Sequence, residues 1–118
     1  MGGADRRRGG RVVSYDVSFM VTEPHAVASE NYTYNVYRHL RFMFDNVEGV
    51  KSLAGMRAGD ALPLLLAAIE RGQASENVSK LDAQNPANGW GSRAGCVSWL
   101  ERLAKHAAEH PDSVVEVS

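Results

Sequence analysis

The sequence predicts an α+β domain in which a small, mainly antiparallel sheet of three strands has one face covered by three helices. Residues near the start alternate between apolar and polar, later segments carry apolar residues at helical spacing, and a short valine-rich segment lies near the end. With 118 residues, of which 44% are hydrophobic, the chain is long enough for a single hydrophobic core. We therefore assign residues 11–118 to one domain.

Residues 1–10 are predicted to be a disordered basic tail. They include four glycines and three consecutive arginines without an apolar anchor, so nothing offsets the entropy cost of ordering them. The positive charge is not followed by the apolar run of a secretory signal, and no segment approaches the roughly 20 apolar residues of a membrane span. A single cysteine, Cys96, excludes an internal disulfide. We therefore expect a cytoplasmic protein without membrane contact.

Three segments are predicted to be strands. Residues 11–21 alternate strictly, and their apolar members lie on one side of the strand: Val13, Tyr15, Val17 and Phe19. Residues 26–34 can fold back antiparallel, and their polar middle indicates an edge strand. Residues 114–117 supply a short final strand, which would pair with the first.

Three segments are predicted to be helices. Asn35 is expected to cap a helix over residues 36–45, with Gly49 as a left-handed end. A second helix, from Gly59 or Asp60 to Arg71, is apolar nearly all round and is expected to be the most buried. Ser92 can cap the last helix, whose apolar stripe consists of Cys96, Trp99, Leu100, Leu103 and Ala107. One or two further helical turns are expected after Ser75.

The candidate binding residues fall in two segments. Aromatic, amide and basic side chains occur together where the second strand gives way to the first helix: Tyr32, Tyr34, Asn35, Arg38, His39 and Arg41. Such mixtures are typical of protein interfaces and of platforms for single-stranded nucleic acid. The second segment contains Trp90, interpreted as an anchor of its loop, and Arg93, which could hold an anion at a helix start. We expect Tyr34, Arg38, His39 and Arg41 to be the residues least needed for the core.

Catalytic motifs are weak. His106, Glu109 and His110 match a zinc-peptidase pattern. That site requires a further protein ligand well downstream, and only eight residues follow His110. The glycines at 89, 91 and 95 do not follow a strand, as a dinucleotide loop would. Cys96 lies on the apolar stripe and is expected to be a core thiol. The sequence therefore predicts neither a metal site nor a cofactor, and no catalytic residue set.

Four segments carry a resemblance to other proteins: residues 31–35 (NYTYN), 53–64 (LAGMRAGDALPL), 85–91 (NPANGWG) and 110–115 (HPDSVV). Together they resemble a group of small uncharacterised proteins of actinobacteria and their bacteriophages. The group has no assigned activity, so the resemblance implies a bacterial or phage-infected cytoplasm and carries no functional residue over.

The favoured hypothesis is a non-enzymatic module that binds another protein, either a host component or a second copy of itself. The main alternative is a ligand-binding protein or enzyme with a polar pocket between residues 31–39 and 88–93, using Asn35, His39 and Trp90. The second alternative is binding of nucleic acid through the basic tail and the first helix. A net charge of −1 provides no overall attraction for nucleic acid, so this alternative is not favoured.

Overall fold

The computed structural model describes residues 14–22 and 25–118, and in them the chain forms three strands and four helices. In chain order these are β1 (Ser14–Thr22), β2 (His25–Thr33), α1 (Tyr37–Phe44), α2 (Ala58–Gln73), α3 (Ser75–Asp82), α4 (Arg93–Glu109) and β3 (Val114–Val117). The predicted tail, residues 1–10, and the predicted beginning of the first strand lie outside the described residues. The α+β class is confirmed, and α3 corresponds to the one or two further helical turns expected after Ser75.

The sheet has the strand order β2-β1-β3, and both pairings are antiparallel. Tyr15 pairs with Tyr32, and Val17 pairs with Glu30 on one side and Val117 on the other. The prediction that the last strand pairs with the first is therefore confirmed, as is the edge position of β2. Paired residues share a face, so one face of the sheet is mostly apolar and the other carries Asp16 and Ser18.

Helix α4 packs directly on the apolar face of the sheet. Its Trp99 is fully buried and stacks on Tyr32 and Tyr15, with ring centroids 5.6 Å and 6.1 Å away. Cys96 lies beside it without exposure, so the prediction of a core thiol is confirmed. Burial removes water from this thiol and raises its pKa to about 12.

The expectation that the second helix is the most buried is wrong. Leu65 and Ala68 of α2 face the core, but Leu64 is 45% exposed and Leu66 is 52% exposed. One side of α2 packs against α4, and its opposite side has no described element over it. Within the described residues, no helix has both the length and the apolar character required to cross a membrane.

The junction between β2 and α1 also differs from the prediction. The side chain of Thr33, not of Asn35, accepts the capping hydrogen bond, from the Asn35 amide at 3.2 Å. A 3-10 turn over Tyr34–Val36 then leads into α1. The helix ends at the predicted boundary, where Asp45 adopts the left-handed conformation with φ of 51°. Aspartate tolerates this conformation better than most residues. Gly49 is also left-handed as predicted, with φ of 57°, but it lies four residues beyond Asp45.

Candidate binding site

Four side chains of the strand-to-helix junction form one surface cluster, which we call the tyrosine–arginine patch: Tyr34, Tyr37, Arg38 and Arg41. Their spacing of three, four and seven residues from Tyr34 places them along one helical face. The rings of Tyr34 and Tyr37 stack with centroids 5.3 Å apart and an interplanar angle of 14°. The 3-10 turn brings Tyr34 into this line because it begins the helical winding before α1.

Both arginines of the patch lie against the ring of Tyr37. The guanidinium carbon of Arg41 is 4.9 Å from the ring centroid, and that of Arg38 is 5.6 Å away. Arg38 also donates from Nε to the Tyr37 hydroxyl at 3.2 Å. Both arginines are exposed, and neither forms an ion pair with a carboxylate within residues 14–22 and 25–118. The patch therefore presents two positive groups whose positions are restrained by an aromatic ring.

A cavity of about 190 Å³ adjoins the patch. It is lined by Tyr15, Tyr34, Arg41, Val47, Glu48 and Lys51. Val47 is 82% exposed and gives the rim an apolar side chain, and Lys51 adds a third cation near Arg41. Burial raises the pKa of Tyr15 far above its ordinary value of 10.0, and the neighbouring Tyr34 acts in the same direction. The phenol of Tyr15 is therefore a hydrogen-bonding group and not a nucleophile.

His39 lies inside the protein and not on the binding surface. Its ring is fully buried, and Nε2 is 2.9 Å from the carbonyl oxygen of Leu81 and 3.0 Å from Oδ1 of Asn85. The expectation that His39 is dispensable for the core is therefore wrong. The apolar spacing of α1 did not predict the burial of His39, because its hydrogen-bond partners come from a distant part of the chain.

Arg93 is also engaged within the protein. Its backbone amide donates to Asn85 Oδ1 at 2.9 Å, and its side chain donates to Asp82 at 2.9 Å and to the carbonyl of Gly72 at 3.3 Å. Asp82 thus already supplies the negative charge that the sequence assigned to a bound anion. Arg93 fastens the start of α4 to the ends of α2 and α3.

The remaining predicted residues lie at the edges of these features. Tyr32 is half-buried, stacks on Trp99 and accepts a hydrogen bond from the Ser92 amide at 3.3 Å. Asn35 is exposed beside the patch. Trp90 is 66% exposed, so it does not anchor its loop into the core as predicted. The chain conformation there depends on Asn88, which accepts from the Trp90 amide at 2.9 Å.

The space between the two predicted segments is filled by direct packing. A Cβ atom on Gly91 would lie 2.6 Å from Cγ2 of Thr33 and 2.7 Å from Cγ1 of Val36. A Cβ atom on Gly95 would collide with the Tyr32 hydroxyl. The two segments are therefore neighbours, as expected. Backbone and side-chain atoms fill the space in which the ligand-binding alternative placed a polar pocket.

Two polar clusters were not found from the sequence. Asn85 joins His39 to Arg93, although its loop position indicated only a turn. Glu30 of β2 accepts hydrogen bonds from His106 at 2.8 Å and Arg102 at 3.2 Å, both on α4. No local signal links these residues, because 72 and 76 positions separate the partners. In the described part of the chain, no three His, Cys, Asp or Glu side chains come together as a metal site.

Comparison of the sequence with protein-family models, and with curated proteins and solved structures, finds no match. The function proposed below is therefore inferred from the geometry of the side chains.

Proposed function

We propose that this protein is a small, non-enzymatic interaction module that binds an acidic segment of another protein through the tyrosine–arginine patch. One observation carries the proposal. Two exposed guanidinium groups lie over the face of Tyr37, and within the described residues neither Arg38 nor Arg41 forms an ion pair with a carboxylate.

The chemistry of the patch suits a carboxylate-bearing peptide. A guanidinium group can donate two parallel hydrogen bonds to one carboxylate, and stacking on Tyr37 reduces the side-chain entropy that Arg41 would lose on binding. Tyrosine and arginine are also the residue types that most often dominate binding energy at protein interfaces. The adjoining cavity and Val47 can accept an apolar side chain next to the acidic residues.

The proposal includes a cellular location, the cytoplasm of a bacterium or of a phage-infected cell. The resemblance described under Sequence analysis supports a bacterial or phage origin, and the partner would then be a protein of the bacterial cytoplasm. Trp90 provides a further exposed aromatic group in a neighbouring loop, whose Gly91 packs on Thr33 and Val36 at the entry to α1.

A displayed library of random peptides tests the proposal. Peptides enriched by the wild-type protein should contain aspartate or glutamate next to an apolar residue. The double variant Arg38→Glu, Arg41→Glu should bind the enriched peptides at least about tenfold more weakly, a loss of about 1.4 kcal/mol. The matched control Arg57→Glu, Lys105→Glu changes the net charge equally, at exposed positions outside the patch, and should change affinity less than about twofold.

Two outcomes would contradict this assignment. Enriched peptides without acidic residues would show that the guanidinium groups do not select the ligand. An equal loss in the control variant would show that overall charge, and not the patch, determines binding. Displacement of the peptide by a short single-stranded oligothymidine would instead favour the nucleic-acid alternative.

A further inference from the structure

Helix α2 has a face that is apolar in its middle and oppositely charged at its ends. Asp60, Leu64, Ala67 and Arg71 follow one another at steps of four, three and four residues, so they form one stripe along the helix. Beside the stripe runs a groove of about 230 Å³. It is lined by Phe44, Asn46, Ser52, Leu64, Ala67 and Arg71.

We propose that two copies of this chain form a symmetric dimer in which their α2 helices pack antiparallel and Leu64 of each copy enters the groove of the other. This inference goes beyond the proposed function and does not depend on it. Each leucine would bury an apolar side chain that is now 45% exposed, and burial of apolar surface is the main driving force of association.

The order of residues along the stripe supports a second copy as the occupant. A two-fold axis at the middle of the stripe exchanges position 60 with 71 and position 64 with 67. Asp60 of one copy therefore meets Arg71 of the other, and the large Leu64 meets the small Ala67. Two opposite-charge pairs and two large-to-small contacts arise from one arrangement, as an isologous interface requires. Parallel packing would instead place Asp60 against Asp60.

The charged ends of the stripe are available for these contacts. Asp60 is exposed and forms no ion pair within residues 14–22 and 25–118. Arg71 donates a hydrogen bond from Nη1 to the carbonyl of Met43, and this bond holds the guanidinium at the wall of the groove. Its other donors remain for a carboxylate, because a guanidinium carries five N–H groups.

The other flank of the exposed side of α2 lacks this complementarity and provides a control. Leu66 is 52% exposed and lies in a different groove, lined by Pro63, Leu66, Ala67, Ile69, Glu70 and Gln73. Glu70 is the only charged residue of that groove, so self-association there would pair no opposite charges. Leu64 and Leu66 are thus the same residue type, lie on the same helix and are similarly exposed. Only Leu64 lies on the self-complementary stripe.

Sedimentation velocity over a range of concentrations tests the dimer. We expect the wild-type chain to reach twice its monomer mass of 12.8 kDa. Leu64→Glu should raise the dimer dissociation constant at least about tenfold, and Leu66→Glu should change it less than about twofold. Circular dichroism should show that both variants are folded, since both positions are exposed. Monomeric wild-type protein at every concentration, or equal effects of the two variants, would overturn the proposal.

Cysteine cross-linking tests the antiparallel register without relying on a disruptive variant. Leu64→Cys protein mixed with Ala67→Cys protein should form a covalent dimer under mild oxidation. A mixture of Leu66→Cys with Ala67→Cys should cross-link at least about tenfold more slowly, because the proposed dimer does not hold these two thiols within disulfide distance and they meet only by random collision. Equal rates would overturn the register. The affinity of a monovalent acidic peptide should be the same for wild type and Leu64→Glu, so failure of the dimer is distinguishable from failure of the proposed function.

Discussion

His39 donates a hydrogen bond from Nε2 to Oδ1 of Asn85 at 3.0 Å, and 46 positions separate the two residues. The same oxygen accepts the backbone amide of Arg93 at 2.9 Å. A backbone amide can only donate, so the atom that it contacts must be the oxygen of Asn85. The second neighbour of Nε2, the Leu81 carbonyl, is also an acceptor. The proton of His39 is therefore on Nε2, and the ring connects α1 to the loop before α4.

Replacement of Asn85 by alanine should destabilise the protein by roughly 2 kcal/mol, because the amide of Arg93 loses its partner and His39 retains only a carbonyl. Urea denaturation measures this difference. Asn88→Ala is the matched control in the same loop. Asn88 accepts only from the exposed Trp90 amide, so its removal should cost less than about 0.5 kcal/mol. Equal losses would show that Asn85 does not join the two elements.

Glu30 should make stability dependent on pH. A hydrogen bond from His106 lowers the pKa of the Glu30 carboxyl below its ordinary value of 4.5, Arg102 acts in the same direction, and burial opposes them. Because the pKa is lower in the folded chain, ionised Glu30 stabilises the fold above about pH 4.5, and this contribution is lost as the pH falls through the folded-state pKa.

The variant Glu30→Gln tests this linkage. It should be roughly 1 kcal/mol less stable than wild type near pH 6, and the difference should shrink as the pH falls through the folded-state pKa of Glu30. Glu116→Gln provides a control on the exposed sheet face, where Glu116 has no ion pair within the described residues. A difference between wild type and Glu30→Gln that does not change with pH would contradict the assignment.

Gly91 and Gly89 should respond differently to alanine, although both have a positive φ, of 98° and 77°. A Cβ atom on Gly89 meets nothing within 4 Å, so Gly89→Ala should cost only the backbone strain of roughly 1 kcal/mol. Gly91→Ala must also displace Thr33 and Val36, and we expect a loss of roughly 3 kcal/mol. Thermal unfolding of both variants measures the difference, and similar losses would show that the packing against Thr33 is loose.

The thiol of Cys96 should be unreactive in the folded protein. Burial raises its pKa to about 12, so almost no thiolate is present near pH 8, and the side chain has no exposure. A chromogenic disulfide reagent should therefore label Cys96 only as fast as the protein unfolds, and denaturant should accelerate labelling to the rate of a free thiol. Rapid labelling without denaturant would mean that the start of α4 opens locally.

Local pattern was sufficient for much of the architecture. The alternation around Tyr15 and Val17 predicted both the first strand and its buried face, and the stripe containing Cys96 and Trp99 predicted the last helix and its core side. These predictions succeeded because a residue's face in a strand or helix depends on its position within a few residues. The polar middle of the second strand likewise predicted an edge, since an edge strand has one side open to water.

Tertiary contacts decided which of the predicted binding residues lie together at the candidate site. The spacing of Tyr34, Arg38 and Arg41 was visible in the sequence, but their stacking on Tyr37 depends on a 3-10 turn that Thr33 caps. The sequence by itself determined which residues could form elements and faces. Only the tertiary structure decided that His39 is buried and that Leu64 is exposed, because burial depends on which distant segments pack against a side chain.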